Sequence, residues 1–536
     1  MKNIKTIYKD VLFISKITKV NRKKVRLILS VFLSNVTVFS DIFIILVFAN
    51  ILSGGQESDS VYYSLISVIK ENLFLLPILV VFRTLVVLIE KVNIHSLQLQ
   101  VEKNLKMHIL TEIYKKGNYS IADATFYTNT LSGHLSYFYG ALAGMANNII
   151  QIIVYSSFLL FADLETISIF ILGGLVLFFP TKYLLKYARN YMHKSYIFAQ
   201  ETARDIQRVV QNLFLIKILK TSEQELNQYD KSISNYQSAQ FRNLAYGTLN
   251  SLFPNFITIF TISILVSFFN FSNLLTLEFL GITLRLVQTI GAANGTLNML
   301  VNSSVHIEKF IEFENNKLVI DTKYYSIEKK LNKAVQLENI DFKYFNSDEY
   351  IFKNLKLSIE KNKHTVITGP NGSGKSTLLG LISQVFYPES GSINVFTNKV
   401  GYVGVLPLII DGTLRENLIY GSKNKIIEDS ELYEILKVFK LFDSDNYDLD
   451  YQVSNRTLSS GQMQKISFMR SLLADTELLL LDESTSNLDT ATRELIFDIL
   501  SKKGLTIINS THSHLEFNYD NHIKIEYVDD KRTFLS

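Results

Sequence analysis

The sequence has no cysteine among its 536 residues. Disulfides, thiolate metal sites and cysteine nucleophiles are therefore excluded, although this absence does not identify a cellular compartment. An excess of one charge is also lacking, because the formal net charge is only +4, and the composition gives no support to a nucleic-acid partner. The lysine-rich amino terminus has no small-residue cleavage site, so we expect no removed signal peptide.

Charged residues are few. They make up 19% of the chain, against 47% hydrophobic residues, and the mean hydropathy is +0.16. Such a composition is apolar for a soluble enzyme of this length, so we expect part of the chain to lie in lipid. Long apolar runs end near residue 305, and a polar, charged stretch follows them. We predict a membrane domain at 1–317, a linker at 318–334 and a soluble α/β domain at 335–536.

Several apolar segments are long enough to cross the hydrocarbon core, which takes roughly 20 helical residues. We predict spans at 27–52, 72–92, 137–162, 166–184, 245–270 and 277–301. The last is the weakest, because Glu278, Arg285 and Gln288 interrupt it. Runs such as 42–48 and 167–179 have no polar face, which argues against the buried helices of a soluble bundle. The predicted membrane domain is thus an all-α domain of six helices.

Basic residues alternate between the connections. Lysine and arginine are frequent before the first span and in the long loops 93–136 and 185–244, and the other connections have few. The positive-inside rule then predicts that both termini, both long loops and the soluble domain lie in the cytoplasm. We expect a multi-pass protein of the cell inner (plasma) membrane. The loops are too long for simple connections, so we expect the helices to continue into the cytosol. Apolar residues near the loop middles, such as Phe126, Tyr127 and Leu215, are expected to dock on the soluble domain.

A phosphate-binding loop follows an apolar strand at 365–368 and precedes a helical pattern. It reads GPNGSGKST and matches GxxxxGK[ST]. The glycines let consecutive N–H groups face phosphates, and the helix N-terminus adds its dipole. Lys375 would reach the β- and γ-phosphates of ATP, and Ser376 would offer its hydroxyl to Mg²⁺. The predicted nucleotide contacts are Gly369, Pro370, Asn371, Gly372, Ser373, Gly374, Lys375, Ser376 and Thr377.

A second buried strand, 478–481, ends in Asp482 and Glu483. A carboxylate at the end of such a strand commonly directs Mg²⁺, which is the role predicted for Asp482. Glu483 would stand beside the γ-phosphate and polarise the attacking water as general base. An acidic turn that merely closes a core strand is the alternative, and the position after the phosphate loop disfavours it.

Further motifs resemble those of ATP-binding-cassette proteins. The segment LSSGQ, residues 458–462, resembles the family's LSGGQ signature and lies between the two nucleotide motifs. Asp489 lies in a segment similar to the D-loop, His512 resembles the switch histidine, and Tyr344 matches the aromatic residue that stacks on adenine. Six spans followed by a cassette is the layout of the family's exporters, so the resemblance covers the whole chain and implies a half-transporter.

The resemblance implies a shared active site. One cassette would hold ATP and Mg²⁺, with Glu483 and His512 as catalytic residues, and the partner cassette would supply its signature segment across the interface. The signature residues are Ser459, Ser460, Gly461 and Gln462. Because neither half is complete alone, the expected partner is a second half-transporter, in a homodimer or a heterodimer.

The sequence departs from the family pattern at one functional loop. An ungapped alignment places Val405 where the family has a glutamine that touches Mg²⁺ and contacts the membrane domain. Valine neither coordinates a metal nor hydrogen-bonds a water. Ser460 replaces a glycine, and the acidic-glycine element before the signature is missing. We expect a slow but real ATPase, or loose coupling of hydrolysis to transport.

Charged residues inside the predicted spans indicate the cargo. Asp41 lies in span one and Arg83 in span two; because such charges are costly in lipid, we predict that they pair and that Arg285 faces the pathway. Structural pinning of two helices is an equal alternative. The arrangement loosely resembles bacterial flippases for lipid-linked oligosaccharides, which implies membrane lipid and an amphipathic substrate with an anionic head as partners. A peptide or bacteriocin exporter, or the weakly hydrolysing regulatory half of a heterodimer, are the other readings.

Overall fold

The chain divides into two compact units, Met1–Lys317 and Leu318–Ser536. The structure is a computed structural model. It describes residues 12–52, 69, 72–116, 121–162, 164–269, 277–315, 324–328, 332–344, 347–422, 426–442, 447–485, 488–511, 518–528 and 531–535.

The described part of the first unit is helical. Its helices are α1 (Lys23–Leu52), α2 (Leu75–Lys116), α3 (Ile121–Thr125), α4 (Ser132–Ala162), α5 (Leu164–Gln211), α6 (Leu213–Ile218), α7 (Ser222–Phe269) and α8 (Leu277–Asn315), with a π-helical turn at Phe126–Leu131. At about 1.5 Å per residue, the 48 residues of α5 extend about 72 Å, more than twice the roughly 30 Å hydrocarbon core. The helices α2, α5 and α7 extend into the predicted long loops, and the cytoplasmic location of these extensions stays a prediction.

By apolar length and composition, two described stretches qualify as candidate membrane spans, Lys23–Leu52 and Ala122–Leu159. Both overlap predicted spans. The predicted span at 72–92 carries Arg83 within its apolar length, and the side chains at 166–179 lie outside the described part. Apolar length alone therefore does not establish that these helices span a membrane, and the six spans stay a prediction.

One of the two buried hydrophobic clusters in the described part of the helical unit lies between α2, α4 and α8. Leu97, Val101, Leu105 and Ile109 recur every fourth residue along α2, so they form one buried stripe. The π-helical turn packs into the same core: the Phe126 ring meets Tyr196 edge-on at 5.1 Å, and the Tyr127 ring lies 5.1 Å from Phe313. These contacts bury Phe126 within the helical unit, and the docking of Phe126 and Tyr127 on the soluble domain stays a prediction. The helix α6 exposes apolar side chains, and its docking stays a prediction.

Two histidines stack inside the helical unit, outside the predicted spans. His306 is 2% exposed, and its ring lies parallel to that of His134 with centroids 4.1 Å apart. Neither nitrogen of His306 has a hydrogen-bond partner within the described residues. Burial lowers the pKa of His306 well below its ordinary value, and the neighbouring His134 and His193 lower it further. Both stacked imidazoles are therefore neutral at pH 7.

The second unit is an α/β domain. Its strands are β1 (Tyr325–Ile327), β2 (Lys333–Lys343), β3 (Tyr350–Glu360), β4 (His364–Thr368), β5 (Ser390–Val395), β6 (Val400–Val403), β7 (Gly412–Thr413), β8 (Gln452–Val453), β9 (Leu478–Asp482), β10 (Thr506–Ser510), β11 (Asn521–Val528) and β12 (Lys531–Leu535). Its helices are α9 (Lys375–Ile382), α10 (Leu414–Ile419), α11 (Asp429–Phe439), α12 (Ser460–Leu473) and α13 (Thr490–Lys502). The predicted order, an all-α domain followed by an α/β domain, is confirmed.

The larger sheet gathers the functional segments at one edge. Its strand order is β12-β11-β4-β10-β9-β6, and β4, β10, β9 and β6 run parallel. Ser510 pairs with Ile367 on one side and with Asp482 on the other, and Val403 pairs with Leu481. Parallel strands end at the same edge, where ligands of open α/β sheets bind. The carboxyl ends of these four strands therefore lie side by side.

Candidate functional site

The phosphate loop turns sharply from β4 into α9. Gly372 and Gly374 have φ angles of +78° and +100°, which favour glycine. A Cβ atom at Gly374 would lie 2.9 Å from Cζ of Phe352, so the close packing of the loop on that ring also requires glycine. The loop can therefore bring its backbone N–H groups and the N-terminus of α9 to one point.

Lys375 is folded back over this loop. The side chain is 5% exposed, and its Nζ donates to the carbonyl oxygens of Gly369 at 2.9 Å and Pro370 at 3.3 Å. The same Nζ lies 3.9 Å from Oε1 of Glu483. A buried ammonium beside exchangeable carbonyl partners suits an incoming phosphate. The neighbouring Oγ of Ser373 is buried and has no hydrogen-bond partner within the described residues.

The end of β9 presents a carboxylate that fits a magnesium ion. Asp482 is 7% exposed; its Oδ2 lies 3.4 Å from the hydroxyl of Tyr402, and its Oδ1 has no hydrogen-bond partner among the residues that the structure describes. A buried oxygen left without a partner is costly, and Mg²⁺ prefers oxygen ligands. The hydroxyl of Ser376, exposed in the first turn of α9, is of the same donor type. The residues present therefore fit the ion.

Glu483 follows in a strained backbone conformation. Its φ angle is +50°, a left-handed value that costs roughly 1–2 kcal/mol outside glycine. Its N–H donates to the carbonyl of Ser510 at 2.9 Å, which holds the turn to the neighbouring strand. Strain of this kind is concentrated at functional sites. The half-buried carboxylate is thereby directed toward Lys375.

Tyr344 lies beside the phosphate loop. Its hydroxyl shares a 2.6 Å hydrogen bond with Oγ1 of Thr377, and its half-buried ring contacts Phe342 and Phe386 edge-on. The contacts fix the ring next to α9. Stacking on adenine stays a prediction.

The signature segment caps α12. Ser459 and Gln462 form a capping box: Oγ of Ser459 accepts from the Gln462 N–H at 3.2 Å, and Oε1 of Gln462 accepts from the Ser459 N–H at 2.9 Å. Ser459 and Ser460 are exposed, and Gly461 is half-buried. The N-terminus of a 14-residue helix is thus presented to solvent, with the partial positive charge that attracts phosphate.

Two predicted site residues lie toward the end of the domain. Asp489 caps α13, where its carboxylate accepts from the N–H of Thr492 at 2.7 Å and from its hydroxyl at 2.9 Å. Those hydrogen bonds lower the pKa of Asp489. His512 lies outside the described residues, as do 486–487 of the segment similar to the D-loop.

Gln464 is a site residue that sequence reasoning missed. It is buried, and its Nε2 donates to the carbonyl oxygens of Gly404 at 3.0 Å and Ser484 at 2.5 Å. The side chain therefore ties the signature helix to the loop after β6 and to the segment after Glu483. A glutamine two positions beyond the motif was the available signal, but its partners lie 60 and 20 residues away.

The loop after β6 carries Val405, whose side chain is partly exposed. Tyr402, three residues earlier, turns its hydroxyl toward Asp482 while about half of its side chain stays exposed. Burial of the hydroxyl end and the nearby carboxylate raise the pKa of Tyr402 to about 12, so the phenol is protonated at neutral pH.

The charged side chains of the helical unit form a separate cluster. Arg83 holds both carboxylate oxygens of Asp41, through Nε to Oδ1 and through Nη2 to Oδ2 at 3.1 Å. The predicted pair is confirmed. Asp41 is 7% exposed, and Arg285, 42% exposed on α8, approaches the same carboxylate at 3.9 Å. Within this cluster, two guanidiniums share one carboxylate.

Comparisons with known proteins agree with these features. A family model described as ABC transporter matches residues 352–486. An ATP-dependent permease, MDL1 of Candida albicans, is 34% identical over 34% of this chain and 30% of its own length. The heterocyst differentiation ATP-binding protein HepA of Nostoc sp. is 28% identical over 59% of this chain and 55% of its own length. ABC transporter B family member 22 of Arabidopsis thaliana is 35% identical over 31% of this chain and 15% of its own length. The chain thus spans 15% to 55% of the length of these curated relatives.

The fold has a solved counterpart. A bacterial Atm1-family ABC exporter with ATP bound superposes with a TM-score of 0.72 and 16% sequence identity, over 96% of this chain and 95% of that one. The likeness covers both the helical and the α/β unit. Residues 352–486 therefore match the ABC transporter family, and the chain has the fold of an ABC exporter.

Proposed function

We propose that the protein is one half of an ATP-driven exporter, set in the plasma membrane with its cassette in the cytoplasm. The observation that carries the proposal is the meeting of Lys375, Asp482 and Glu483 at one edge of the sheet. A helical unit in the same chain, with the fold of an exporter, supports transport as the use of the ATP.

The residues at this edge of the sheet would have separate roles in ATP hydrolysis. Lys375 would exchange its carbonyl partners for the β- and γ-phosphates, where its charge stabilises the charge that develops in the transition state. Ser376 and Asp482 would hold Mg²⁺, which neutralises phosphate charge when bound. Glu483 would accept a proton from the attacking water as general base.

A second half-transporter is the proposed partner. The capped N-terminus of α12 is exposed, and it offers the donors and dipole of a phosphate site. In the proposed dimer, this segment of one cassette meets the nucleotide of the other, so ATP closes the pair and hydrolysis releases it. A homodimer satisfies this geometry, and a heterodimer with a related half does so equally.

The proposed cargo is an amphipathic molecule with an anionic head, such as a lipid or a lipid-linked saccharide. Two guanidiniums against one carboxylate leave a net positive charge among Asp41, Arg83 and Arg285. In a low-dielectric surrounding an excess charge needs a counter-charge. Arg285 is the more exposed of the two arginines, so it is the side chain that would meet the anionic head. Cargo contact is thereby favoured over structural pinning alone.

One observation favours a second candidate, the weakly hydrolysing half of a heterodimer. Val405 gives the loop after β6 no polar side chain at the position where the family has glutamine. The carboxylate of Glu483 opposes this reading, because a regulatory half needs no general base. The distinguishing result is the turnover of the protein purified alone.

Proteoliposome transport tests the function and the cargo together. We expect ATP-dependent movement of fluorescent phosphatidylglycerol between leaflets, abolished by Lys375→Ala. Arg285→Gln is expected to slow this movement at least fivefold and to leave ATPase activity without cargo unchanged, whereas Arg285→Lys keeps most of it. Movement of phosphatidylcholine by the wild-type protein as fast as that of phosphatidylglycerol, or unchanged movement of phosphatidylglycerol in Arg285→Gln, would contradict the anionic head. No ATP-dependent movement of any labelled lipid or peptide would contradict export itself.

A further inference from the structure

The nucleotide edge of the sheet has an unusual arrangement beside Val405. The side chain of Asp482 is buried, so it needs a partner that holds its carboxylate in one orientation. A glutamine amide at position 405 could donate a hydrogen bond at this edge, and valine cannot. The structure has a different hydrogen-bond donor to the Asp482 carboxylate, and this donor belongs to β6 and not to the loop after it.

That donor is the hydroxyl of Tyr402. It lies 3.4 Å from Oδ2 of Asp482, and Oδ1 of the same carboxylate is buried with no hydrogen-bond partner among the described residues. Strand pairing places the two residues near each other, because Tyr402 pairs with Leu480 in adjacent parallel strands. The Tyr402 side chain therefore reaches the Asp482 carboxylate across the end of β6.

Gly404 makes that path available. A Cβ atom at this position would lie 2.7 Å from the hydroxyl oxygen of Tyr402 and 2.9 Å from its Cε1. Real Cβ atoms do not approach other atoms so closely, so any residue except glycine would push the ring away. The requirement is steric, since Gly404 is not among the residues with a positive φ angle.

Gln464 fixes the same glycine from the other side. Its Nε2 donates to the Gly404 carbonyl at 3.0 Å and also to the Ser484 carbonyl. The loop that follows Tyr402 at the end of β6 is therefore tied to the segment that follows Asp482 and Glu483. Ring, glycine and amide form one connected support for the carboxylate.

We propose that Tyr402 is a positioning residue that holds the Asp482 carboxylate for the metal, in place of the amide absent at Val405, and that Gly404 is the residue that makes room for it. The inference rests on the proposed ATP and Mg²⁺ site. It also explains how the Asp482 carboxylate can be held in place in a chain that has Val405 instead of glutamine.

The Mg²⁺ dependence of nucleotide binding tests the proposal, with a fluorescent ATP analogue and the full-length protein in nanodiscs. Tyr402→Phe is expected to raise the Mg²⁺ concentration for half-maximal enhancement of binding about threefold to tenfold, the effect of losing one hydrogen bond to a charged group. Gly404→Ala should act in the same direction. Binding in EDTA should stay within twofold of wild type for both, which separates positioning from misfolding. Tyr433→Phe, a partly exposed tyrosine of α11, is the matched control and should change neither value.

A second variant tests the replacement itself. Tyr402→Phe combined with Val405→Gln should recover at least half of the lost Mg²⁺ affinity on a logarithmic scale, because the amide returns as a donor. A shift below twofold in Tyr402→Phe, or no recovery in the double variant, would overturn the inference while leaving the proposed function standing. If the wild-type protein itself binds the nucleotide without any Mg²⁺ dependence, the proposed metal site and this inference both fail.

Discussion

The ion pair between Asp41 and Arg83 yields a prediction whose size follows from burial. Arg83→Gln leaves Asp41, 7% exposed, with Arg285 at 3.9 Å as a nearby cation. Asp41→Asn leaves both guanidiniums without this carboxylate. The double variant Asp41→Asn/Arg83→Gln removes both charges of the pair at once.

Removing one member of a buried pair typically costs about 3–5 kcal/mol, because the other charge is left uncompensated. The side chain of Arg83 is 28% exposed, and Arg285 can move toward the carboxylate, so we expect a smaller loss. We predict about 2–3 kcal/mol for each single variant and about 1 kcal/mol for the double variant. Unfolding entropy scales with chain length, so for a unit of this size each kcal/mol lowers Tm by about 2 °C.

Thermal unfolding in nanodiscs, followed by far-ultraviolet circular dichroism, measures these shifts. The chain has no tryptophan and no cysteine, so intrinsic tryptophan fluorescence and thiol-reactive dyes cannot replace it. We expect Tm to fall about 4–6 °C in the single variants and less in the double variant. A double variant that loses as much as the two single variants combined would refute the pair, since uncoupled residues give additive losses.

Three further predictions concern other parts of the chain. The free energy of unfolding should fall as pH drops below about 6.5, because the lowered pKa of His306 makes the unfolded state bind more protons there. The slope of this free energy against pH, measured by unfolding at several pH values, should flatten in His306→Phe. An unchanged slope would contradict the role of His306. Gly374→Ala should weaken ATP binding at least tenfold, because the Cβ meets Phe352; titration with a fluorescent ATP analogue measures this, and unaltered affinity would contradict the tight turn. Gln464→Ala should lower turnover more than ATP binding, because it frees two loops beside Glu483; equal losses in both assays would contradict this role.

Much of the nucleotide site is visible in the sequence because its signals are local. The phosphate loop lies between a short apolar strand and a helix, and the strand that ends in Asp482 is an unbroken apolar run. The pairing of Asp41 with Arg83 also follows from physics, since two opposite charges in apolar helices have few other partners.

The remaining features depend on pairing between distant segments. The approach of Tyr402 to Asp482 follows from the register of β6 on β9, which no local pattern fixes. The two hydrogen bonds of Gln464 and the stacking of His134 on His306 likewise join residues far apart in the chain. The burial of Phe126 is a further example, because its ring packs on Tyr196, 70 residues further along the chain.

Steady-state ATPase activity of the protein in nanodiscs, with and without Glu483→Gln, measures whether this site hydrolyses ATP. We expect Mg²⁺-dependent, vanadate-sensitive turnover that falls by about 10²–10⁴-fold in Glu483→Gln, the usual contribution of a general base. ATP binding should be retained in the variant, because Glu483 is not among the proposed phosphate or metal ligands. Turnover that is absent in the wild-type protein, or that is unchanged in Glu483→Gln, would contradict an ATPase that works through this site.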